Sequence, residues 1–205
     1  MSAYVIGLTG GIASGKNAVA ERLRILGASI VDADVVSREL MGPGSEILRE
    51  IASAWGADVL RGDGSLNRPL LAERVFGQPE QVARLNAITH PPIMREMSRR
   101  VEAAPTPVAV LMAPLLLEAG GEDDVDEVWV VDAPPGLRVQ RVMARDGATE
   151  AQALQRIGAQ MDDETRKARA DVVISNVGTP GDLLREVGAA WEALQARLSR
   201  AAKNR

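Results

Sequence analysis

The segment Gly10–Asn17 restricts what this chain can fold into more than any other part of its sequence. It reads GGIASGKN and fits the pattern G-x-x-x-x-G-K, with an apolar run, Tyr4–Leu8, directly before it. After Lys16, apolar residues recur at helical spacing until Gly27, namely Val19, Leu23 and Leu26. Small residues allow backbone N–H groups to turn inward around phosphate oxygens, and the helix N-terminus and the lysine both contribute positive charge. The sequence therefore predicts a strand, a phosphate-binding loop and a helix, in that order.

Four further apolar runs predict the rest of a parallel sheet. They are Ser29–Val31, Val108–Met112, Val128–Val131 and Val172–Ile174, and helical patterns lie between most of them. Near-continuous apolar strands that alternate with helices are typical of α/β folds in which helices cover both faces of the sheet. We therefore expect a five-stranded parallel sheet, with ligands bound at the carboxyl ends of its strands.

The helical regions carry more specific signals. From Ala33 to Pro107 strand patterns are almost absent, which predicts a helical insertion in which His90-Pro91-Pro92 forms an extended turn. The segment Thr149–Gln152 fits a capping box, in which the two side chains satisfy free backbone donors at the start of a helix. The last helix is expected to bury one face against the sheet, made of Leu184, Val187, Trp191, Leu194 and Leu198.

The composition of the chain excludes or disfavours several classes of function. The chain contains no cysteine, so disulfides, thiolate metal sites and a cysteine nucleophile are excluded. A net charge of −4 and an aromatic content of 2% give neither the field nor the stacking surface expected of a nucleic-acid-binding protein. No apolar run approaches the roughly 18 residues that span a bilayer, and residues 1–3 do not resemble a secretory leader. We expect a cytoplasmic protein without nucleic-acid or membrane partners.

Two carboxylates, Asp32 and Asp34, come directly after the second predicted strand. If the strand continues through them, alternation places both side chains on the same side, at the edge of the sheet that carries the phosphate loop. One of them could then accept a proton from an attacking hydroxyl group. The alternative is a helix cap, which is as plausible for Asp32 and less so for Asp34.

A series of short motifs in this order resembles the dephospho-coenzyme A kinase family. Besides the loop through Lys16 and Asp32-Ala33-Asp34, the series contains His90-Pro91, Pro114–Glu118, Gln140-Arg141 with Arg145, and Asp171–Asn176. A phosphate loop alone would indicate only a protein that acts on nucleoside triphosphates. The whole series is specific to this family and covers nearly the whole chain.

The resemblance implies the fold of the P-loop nucleoside triphosphate hydrolases and the activity of a kinase. In this family the γ-phosphoryl group of ATP is transferred to the ribose 3′-hydroxyl of dephospho-coenzyme A, which completes coenzyme A synthesis, and Mg²⁺ assists. The implied organisation is a single domain over 1–205. It would contain a nucleotide core of 1–34 and 106–205, a helical substrate subdomain of 35–105, and a lid at about 138–165.

The match also implies roles for individual residues. Asp34 would be the general base, and Lys16, Arg141 and Arg145 would be catalytic cations. ATP would contact Gly11, Ile12, Ala13, Ser14, Gly15, Lys16, Asn17, Asn176 and Gly178. Dephospho-coenzyme A would contact Thr9, Asp34, His90, Leu115 and Glu118. The residue expected to bind the metal is Asn17.

Three arginines of the predicted lid, Arg138, Arg141 and Arg145, recur at helical spacing after Pro134-Pro135. Arginines brought in by a closing lid would stabilise the negative charge that spreads over the transferred phosphoryl group. The alternative is a solvated basic helix face. The resemblance favours the functional interpretation for Arg141 and Arg145.

Each of the other candidates has a structural alternative. His90, the only histidine, is a substrate-pocket candidate, but a histidine beside proline more often has a structural role. Glu118 could orient substrate or a metal-bound water, or could interact with a helix N-terminus. Asn176 and Gly178 follow the fifth strand, where an adenine base could lie, but they could equally form a simple turn.

Two positions depart from the family pattern, and both are in the loop. Asn17 stands where Ser or Thr normally binds Mg²⁺, and Ala13 stands where glycine is frequent. The competing interpretations are another small-molecule or nucleotide kinase with the same loop, and a nucleotide-binding regulatory protein. A GTPase is disfavoured because the guanine-reading pattern N-K-x-D is absent.

Overall fold

The computed structural model describes residues 3–75 and 77–203, and its framework is a single sheet. Five strands of the described chain form this sheet in the order β2-β3-β1-β4-β5, so that β1 lies in the middle. Their bounds are β1 Tyr4–Gly10, β2 Ser29–Asp32, β3 Val108–Met112, β4 Glu127–Asp132 and β5 Val172–Ser175. β1 pairs in parallel with β3 and β4, and β4 pairs in parallel with β5. The predicted α/β fold and its five strands are confirmed.

The first compact unit consists of the described residues up to Val31 and those from Val101 onward. Besides the sheet it contains α1 Lys16–Ile25, α6 Pro135–Asp146, α7 Glu150–Gly158, α8 Asp163–Ala168 and α9 Pro180–Lys203. The predicted capping box at Thr149 and Gln152 is present, with both reciprocal hydrogen bonds formed. Gly27 follows the end of α1 with a φ of 104°, a left-handed conformation that glycine adopts without steric cost.

The core of this unit lies between the sheet and two helices, α1 and α9. From β1, Ile6 and Leu8 enter this core and are fully buried, whereas Gly7 faces the opposite side of the sheet. The helices contribute Val19, Ala20 and Leu23 from α1, and Leu183, Val187, Trp191 and Leu194 from α9. Burial of the first three fixes the N-terminus of α1 against the carboxyl end of β1, where the glycine-rich loop connects them.

The predicted face of the last helix is wrong at one end. Leu184 is 41% exposed, and its neighbour Leu183 is buried in its place. The helical spacing from Val187 onward is correct, but Leu183 lies one turn before Val187 at the i−4 position, which points toward the sheet more directly than i−3.

Although α5 and α9 are long, no helix in the described residues is apolar enough to span a bilayer.

The second compact unit, Asp32–Arg100, is helical and has a core of its own. Its helices are α2 Ala33–Leu40, α3 Glu46–Trp55, α4 Arg68–Val75 and α5, which runs over Pro79–Glu102. A short 3₁₀ helix occupies Ala57–Val59. The buried core residues are Ile47, Leu48, Ile51, Val59, Leu71 and Val75.

The expected extended turn at His90-Pro91-Pro92 is wrong, since both prolines lie inside α5. A proline in a helix removes one backbone hydrogen bond and usually ends or bends the helix. Here Met97 is buried on the far side of the prolines, and Thr89, directly before them, donates its hydroxyl hydrogen bond to the Leu85 carbonyl at 2.9 Å. Buried residues before and after the prolines therefore keep the segment helical, although the sequence predicts a turn.

At the amino end of β4, the buried carboxylate of Glu127 joins three parts of the first unit. It accepts hydrogen bonds from Trp129 Nε1 at 2.9 Å and from Arg197 Nη2 of α9 at 3.0 Å, and Tyr4 of β1 also bonds to it. Burial, together with the hydrogen bond to Glu127 and its charge, raises the pKa of Tyr4 to about 12. Below about pH 10 the contribution of this phenol to folding is fully present, and it is lost as the pH rises through about 12.

Tyr4 is the only tyrosine in the chain, so the phenolate absorbance reports its pKa directly. We expect Tyr4 of the folded chain to titrate near pH 12, because the phenol is partly buried and its ionisation would place a second negative charge beside Glu127. The urea-unfolded chain, which lacks this environment, should titrate near the ordinary value of about 10. A folded chain that titrates near 10 would show that Tyr4 is not held against Glu127.

Candidate functional site

The glycine-rich loop joins the middle strand of the sheet to the first turn of α1. Its conformation depends on Gly15, which has a φ of 106° and directly precedes the helix. A Cβ atom at Gly15 would lie 2.2 Å from Nδ2 of Asn176, so a larger residue is excluded by space as well as by backbone conformation. The loop therefore brings the amino end of α1, with the N–H groups of its first turn and its partial positive charge, to the exit of β1.

Ala13 is the one non-glycine residue with a positive φ, 59°, among the described residues. This left-handed conformation costs an alanine roughly 1–2 kcal/mol. Its side chain packs, together with Ile12, on a small core formed by Val139 and Val142 of α6 and Ala153 of α7. Alanine in place of glycine at this position therefore adds backbone strain but gains contact with the predicted lid segment.

Lys16 begins α1 and turns its ammonium group back over the loop. Its Nζ donates to the carbonyl oxygens of Gly10 at 2.7 Å and Gly11 at 3.0 Å. These acceptors are neutral, so a phosphate oxygen would be a stronger partner for the same group. The predicted cation is thus positioned at the mouth of the loop.

Two residues from distant parts of the chain hold the loop in shape. Asn176, after β5, donates from Nδ2 to the Ser14 carbonyl at 2.6 Å and accepts from Arg141 Nη2 at 3.3 Å. Arg141, from α6, also donates from Nη1 to the carbonyls of Ala13 at 3.2 Å and Ser14 at 3.4 Å. The carbonyls of Ala13 and Ser14 are thus bound from outside the loop, while the Ser14 N–H donates within the loop to the Gly11 carbonyl at 3.1 Å.

Sequence reasoning missed a second group of polar residues at the loop. Arg138 is buried and donates from Nη2 to Asp163 Oδ2 at 2.5 Å, and buried Arg166 donates from Nη1 to Asp163 Oδ1 at 2.8 Å. Gln160 Oε1 accepts from the backbone N–H of Ile12 at 2.7 Å. Only Arg138 gave a sequence signal, through its helical spacing with Arg141. The contact between Gln160 and Ile12 joins residues far apart in the chain, whereas Asp163 and Arg166 are one helical turn apart in α8.

Arg145 does not share the environment of the two preceding arginines. It is exposed and donates to Asp146 at 2.7 Å, and Asp146 also pairs with Arg156 at 2.8 Å. These arginines, Arg145 first, hold the pKa of Asp146 below its ordinary value. The expected common face is therefore only partly formed, since Arg138 and Arg141 contact or border the loop and Arg145 pairs beside the end of α6.

The remaining candidates in this unit lie near the carboxyl ends of the strands. Thr9 is buried and donates to the Pro114 carbonyl at 3.2 Å, while Leu115 is 54% exposed. Glu118 accepts from the backbone N–H of Met161 at 3.2 Å and from Arg166 at 3.5 Å, so it holds α8 and the turn before it. Gly178 is exposed just before α9.

The carboxylates after β2 take different roles. β2 ends at Asp32 and α2 begins at Ala33, so the expectation that both acids share one side of a continuing strand is wrong. Asp32 caps α2 by accepting from the backbone N–H groups of Asp34 at 2.8 Å and Val35 at 3.3 Å. Asp34 lies in the first turn of α2 with an exposed side chain. His90, in α5, is also exposed.

No group of three or more acidic, histidine or cysteine side chains in the described residues could hold a metal ion by itself. Asn17 is exposed in the first turn of α1 and offers one amide oxygen. Mg²⁺ is normally bound by one or two protein oxygens together with phosphates and water. The residues at the loop therefore fit an ion that arrives with a phosphorylated ligand.

Comparisons with known proteins agree on one family. The family profile described as dephospho-CoA kinase matches residues 4–181. A dephospho-CoA kinase of Moorella thermoacetica is 46% identical over 200 residues, which cover 96% of this chain and 94% of that protein. A crystal structure of a Thermus thermophilus protein, 35% identical, superposes with a TM-score of 0.82 over 97% of this chain and 99% of that one.

A more distant likeness concerns the fold alone. A shikimate kinase of Bacteroides thetaiotaomicron, 13% identical, superposes with a TM-score of 0.53 over 94% of this chain and 98% of that one. The same architecture therefore supports kinases with different acceptors, and substrate identity has to come from the residues around the loop.

The contact between Asn176 and the loop gives a stability prediction. In Asn176→Ala the Ser14 carbonyl loses its buried donor and Arg141 loses an acceptor, so we expect urea unfolding to show a loss of about 1–3 kcal/mol. The matched control is Asn17→Ala, an identical change at an exposed site of the same loop, which should stay within about 0.5 kcal/mol. Equal losses in the two variants would contradict the positioning role of Asn176.

Proposed function

The chain belongs to the dephospho-CoA kinase family, and we propose that its loop residues and Asp34 carry out the reaction of that family. The reaction transfers the γ-phosphoryl group of ATP to the ribose 3′-hydroxyl of dephospho-coenzyme A and completes coenzyme A synthesis. The observation that carries the proposal is the loop itself, whose carbonyls are bound from outside by Asn176 and Arg141. Lys16 Nζ lies on the same loop, where it donates to the Gly10 and Gly11 carbonyls, so a triphosphate bound in the loop would meet this cation.

The bond changes define what the protein has to supply. The 3′-hydroxyl oxygen forms a bond to the γ-phosphorus, the bond from that phosphorus to the β–γ bridging oxygen breaks, and ADP leaves. Negative charge spreads over the equatorial oxygens of the transferred group, so catalysis consists mainly of positioning and charge stabilisation. The hydroxyl proton needs an acceptor.

Loop residues would bind the nucleotide by their backbone. The N–H groups of Ala13–Asn17, at the amino end of α1, would hold the inner phosphates. Lys16 would exchange the neutral carbonyls of Gly10 and Gly11 for charged phosphate oxygens. Arg141 and Asn176 would support this arrangement by fixing the loop. Arg145 would contact the nucleotide only after the proposed lid segment moves.

Asp34 is the proposed general base. Its carboxylate is exposed and is not used to cap α2, because Asp32 fulfils that role. Asp34 follows the carboxyl end of β2 by two residues, and ligands of parallel α/β sheets bind at these ends. It would accept the 3′-hydroxyl proton as the phosphoryl group is transferred. The substrate would further contact Thr9, His90, Leu115 and Glu118.

Mg²⁺ would be held by the Asn17 amide oxygen together with phosphate oxygens and water. When bound, the ion neutralises charge on the β- and γ-phosphates. An amide oxygen is a suitable ligand for this hard cation, so replacement of the usual hydroxyl does not exclude binding.

The acceptor specificity can be tested with an assay that couples ADP release to a readout, in the presence of ATP and Mg²⁺. We expect turnover with dephospho-coenzyme A and none above background with adenosine, AMP or shikimate. Equal turnover with AMP or shikimate would support a different small-molecule kinase. Tight ATP binding without turnover of any acceptor would instead support the regulatory alternative.

The assignment of the base predicts a large difference between two neighbouring substitutions. Asp34→Asn should lower kcat about 10²–10⁴-fold, because a positioned base contributes by that factor. Asp32→Asn is the matched control, since asparagine caps a helix as well as aspartate does, and its kcat should fall less than tenfold. If Asp34→Asn retains full kcat, another group accepts the proton.

A further inference from the structure

The outer surface of α1 and α9 contains an open cleft between the two helices. Its volume is about 410 Å³, and it is lined by Arg22 of α1 and by Leu184, Arg185, Gly188, Ala189 and Glu192 of α9. Leu184 is 41% exposed, so the cleft offers apolar surface beside its charged groups. The two residues in the middle of the α9 wall, Gly188 and Ala189, are small, so the helix backbone is open to close approach from outside.

The cation that α1 contributes to this cleft is incompletely paired. The Nε atom of Arg22 is buried and has no hydrogen-bond partner in the described part of the chain. Its Nη2 atom lies beside Gly188, where an added Cβ would be 4.0 Å away. Glu192 lines the same cleft, yet no ion pair among the described residues includes either side chain. A buried donor without an acceptor is costly, so an anion supplied from outside would stabilise this place.

The charges on α9 have an arrangement that is complementary to itself. Arg185 stands three residues before Gly188, and Glu192 stands three residues after Ala189. Arg185 and Glu192 are about two helical turns apart, so both charges lie on the same face, on either side of the two small residues. If a second α9 packs antiparallel on this face, a two-fold axis between Gly188 and Ala189 places each Arg185 opposite the Glu192 of the other copy.

We propose that this cleft binds a second copy of the chain, with the two α9 helices packed antiparallel across a two-fold axis at Gly188 and Ala189. The small residues allow the helix axes to approach closely where they cross. Glu192 of the second copy then meets Arg185 and lies beside the incompletely paired Arg22, and Leu184 is covered. The same two charge pairs form twice, once on each side of the axis.

A second copy fits this surface better than an unrelated acidic partner does. An acidic partner would satisfy Arg22 and Arg185, but it would bring a like charge to Glu192, which is unfavourable. Asp182 already pairs with Arg185 within α9, so only part of the Arg185 charge needs an external partner. A surface that presents both signs at matched positions satisfies all of these groups at once.

The proposed contact is separate from the glycine-rich loop. Arg22 lies six residues beyond Lys16, about 9 Å along α1 at 1.5 Å per residue. On α9 the cleft begins at Leu184, after the first turn of the helix. Association therefore does not depend on the proposed function, and either proposal can fail without the other.

Sedimentation velocity of the full chain over a concentration series tests the proposal. We expect a monomer–dimer equilibrium with a dissociation constant of about 1–100 µM, as befits a small and largely polar contact. Glu192→Arg places like charges opposite each other on both sides of the axis, so this constant should rise about tenfold or more. The control is Glu164→Arg, the same charge change on an 88% exposed side chain of α8, which should leave the constant unchanged.

Exchange of the two charges distinguishes a specific pair from a general effect of charge. The double variant Arg185→Glu with Glu192→Arg restores opposite signs across the axis. Its dissociation constant should therefore lie about threefold or more below that of Glu192→Arg alone. A double variant that is folded, as its circular dichroism shows, but associates no better than the single variant would overturn the proposed pairing.

A steric variant tests the crossing point without changing any charge. Ala189→Gln adds a long side chain at an exposed helix position, which the monomer accommodates, but which keeps the two helices apart. Its dimer dissociation constant should rise about tenfold or more. A native chain that remains monomeric up to about 300 µM would overturn the proposal. So would a dimer that Glu192→Arg or Ala189→Gln leaves as tight as before, since it would use another surface.

Discussion

The path of the backbone between β1 and α1 is the constraint on which the rest of this molecule depends. β1 is the middle strand of the sheet, and Ile6 and Leu8 are fully buried between it and the helices. α1 is buried along Val19, Ala20 and Leu23. Since both elements are fixed by packing, the loop between them must reverse direction within a few residues, and the amino end of α1 lies at the end of the sheet.

Packing alone does not give the loop its shape, because its carbonyl groups also need partners. These partners come from residues more than 100 positions away, chiefly Asn176 after β5 and Arg141 in α6. The loop therefore depends on completion of the β4–β5 half of the sheet. The same α6 carries Arg138, so the helix that fixes the outside of the loop also brings a buried cation to it.

Features that depend on local sequence were predictable. The five strands followed from continuous apolar runs, the loop from its glycines and lysine, and the cap of α7 from Thr149 and Gln152. Features that depend on tertiary contacts were not. Leu184 and Leu183 are both compatible with helical spacing, and only docking on the sheet selects Leu183.

The residues of the candidate site likewise include some that the sequence predicted and some that it did not. Lys16 lies at the loop as the motif predicts. Asp32 ends β2 and caps α2, and Asp34 lies in that helix, because the cap prevents the strand from continuing through both acids. The long-range contacts of Gln160 with the Ile12 N–H and of Asp163 with Arg138 could not be read from the sequence, because they join distant parts of the chain.

The central claim is that the N–H groups of the loop and Lys16 bind the triphosphate. It is tested most directly by a crystal structure of the chain with a non-hydrolysable ATP analogue and Mg²⁺. The account predicts that the phosphates lie within hydrogen-bonding distance of the N–H groups of Ala13–Lys16 and of Lys16 Nζ, which would leave the Gly10 and Gly11 carbonyls. A triphosphate bound elsewhere, with Lys16 still on these carbonyls, would contradict it.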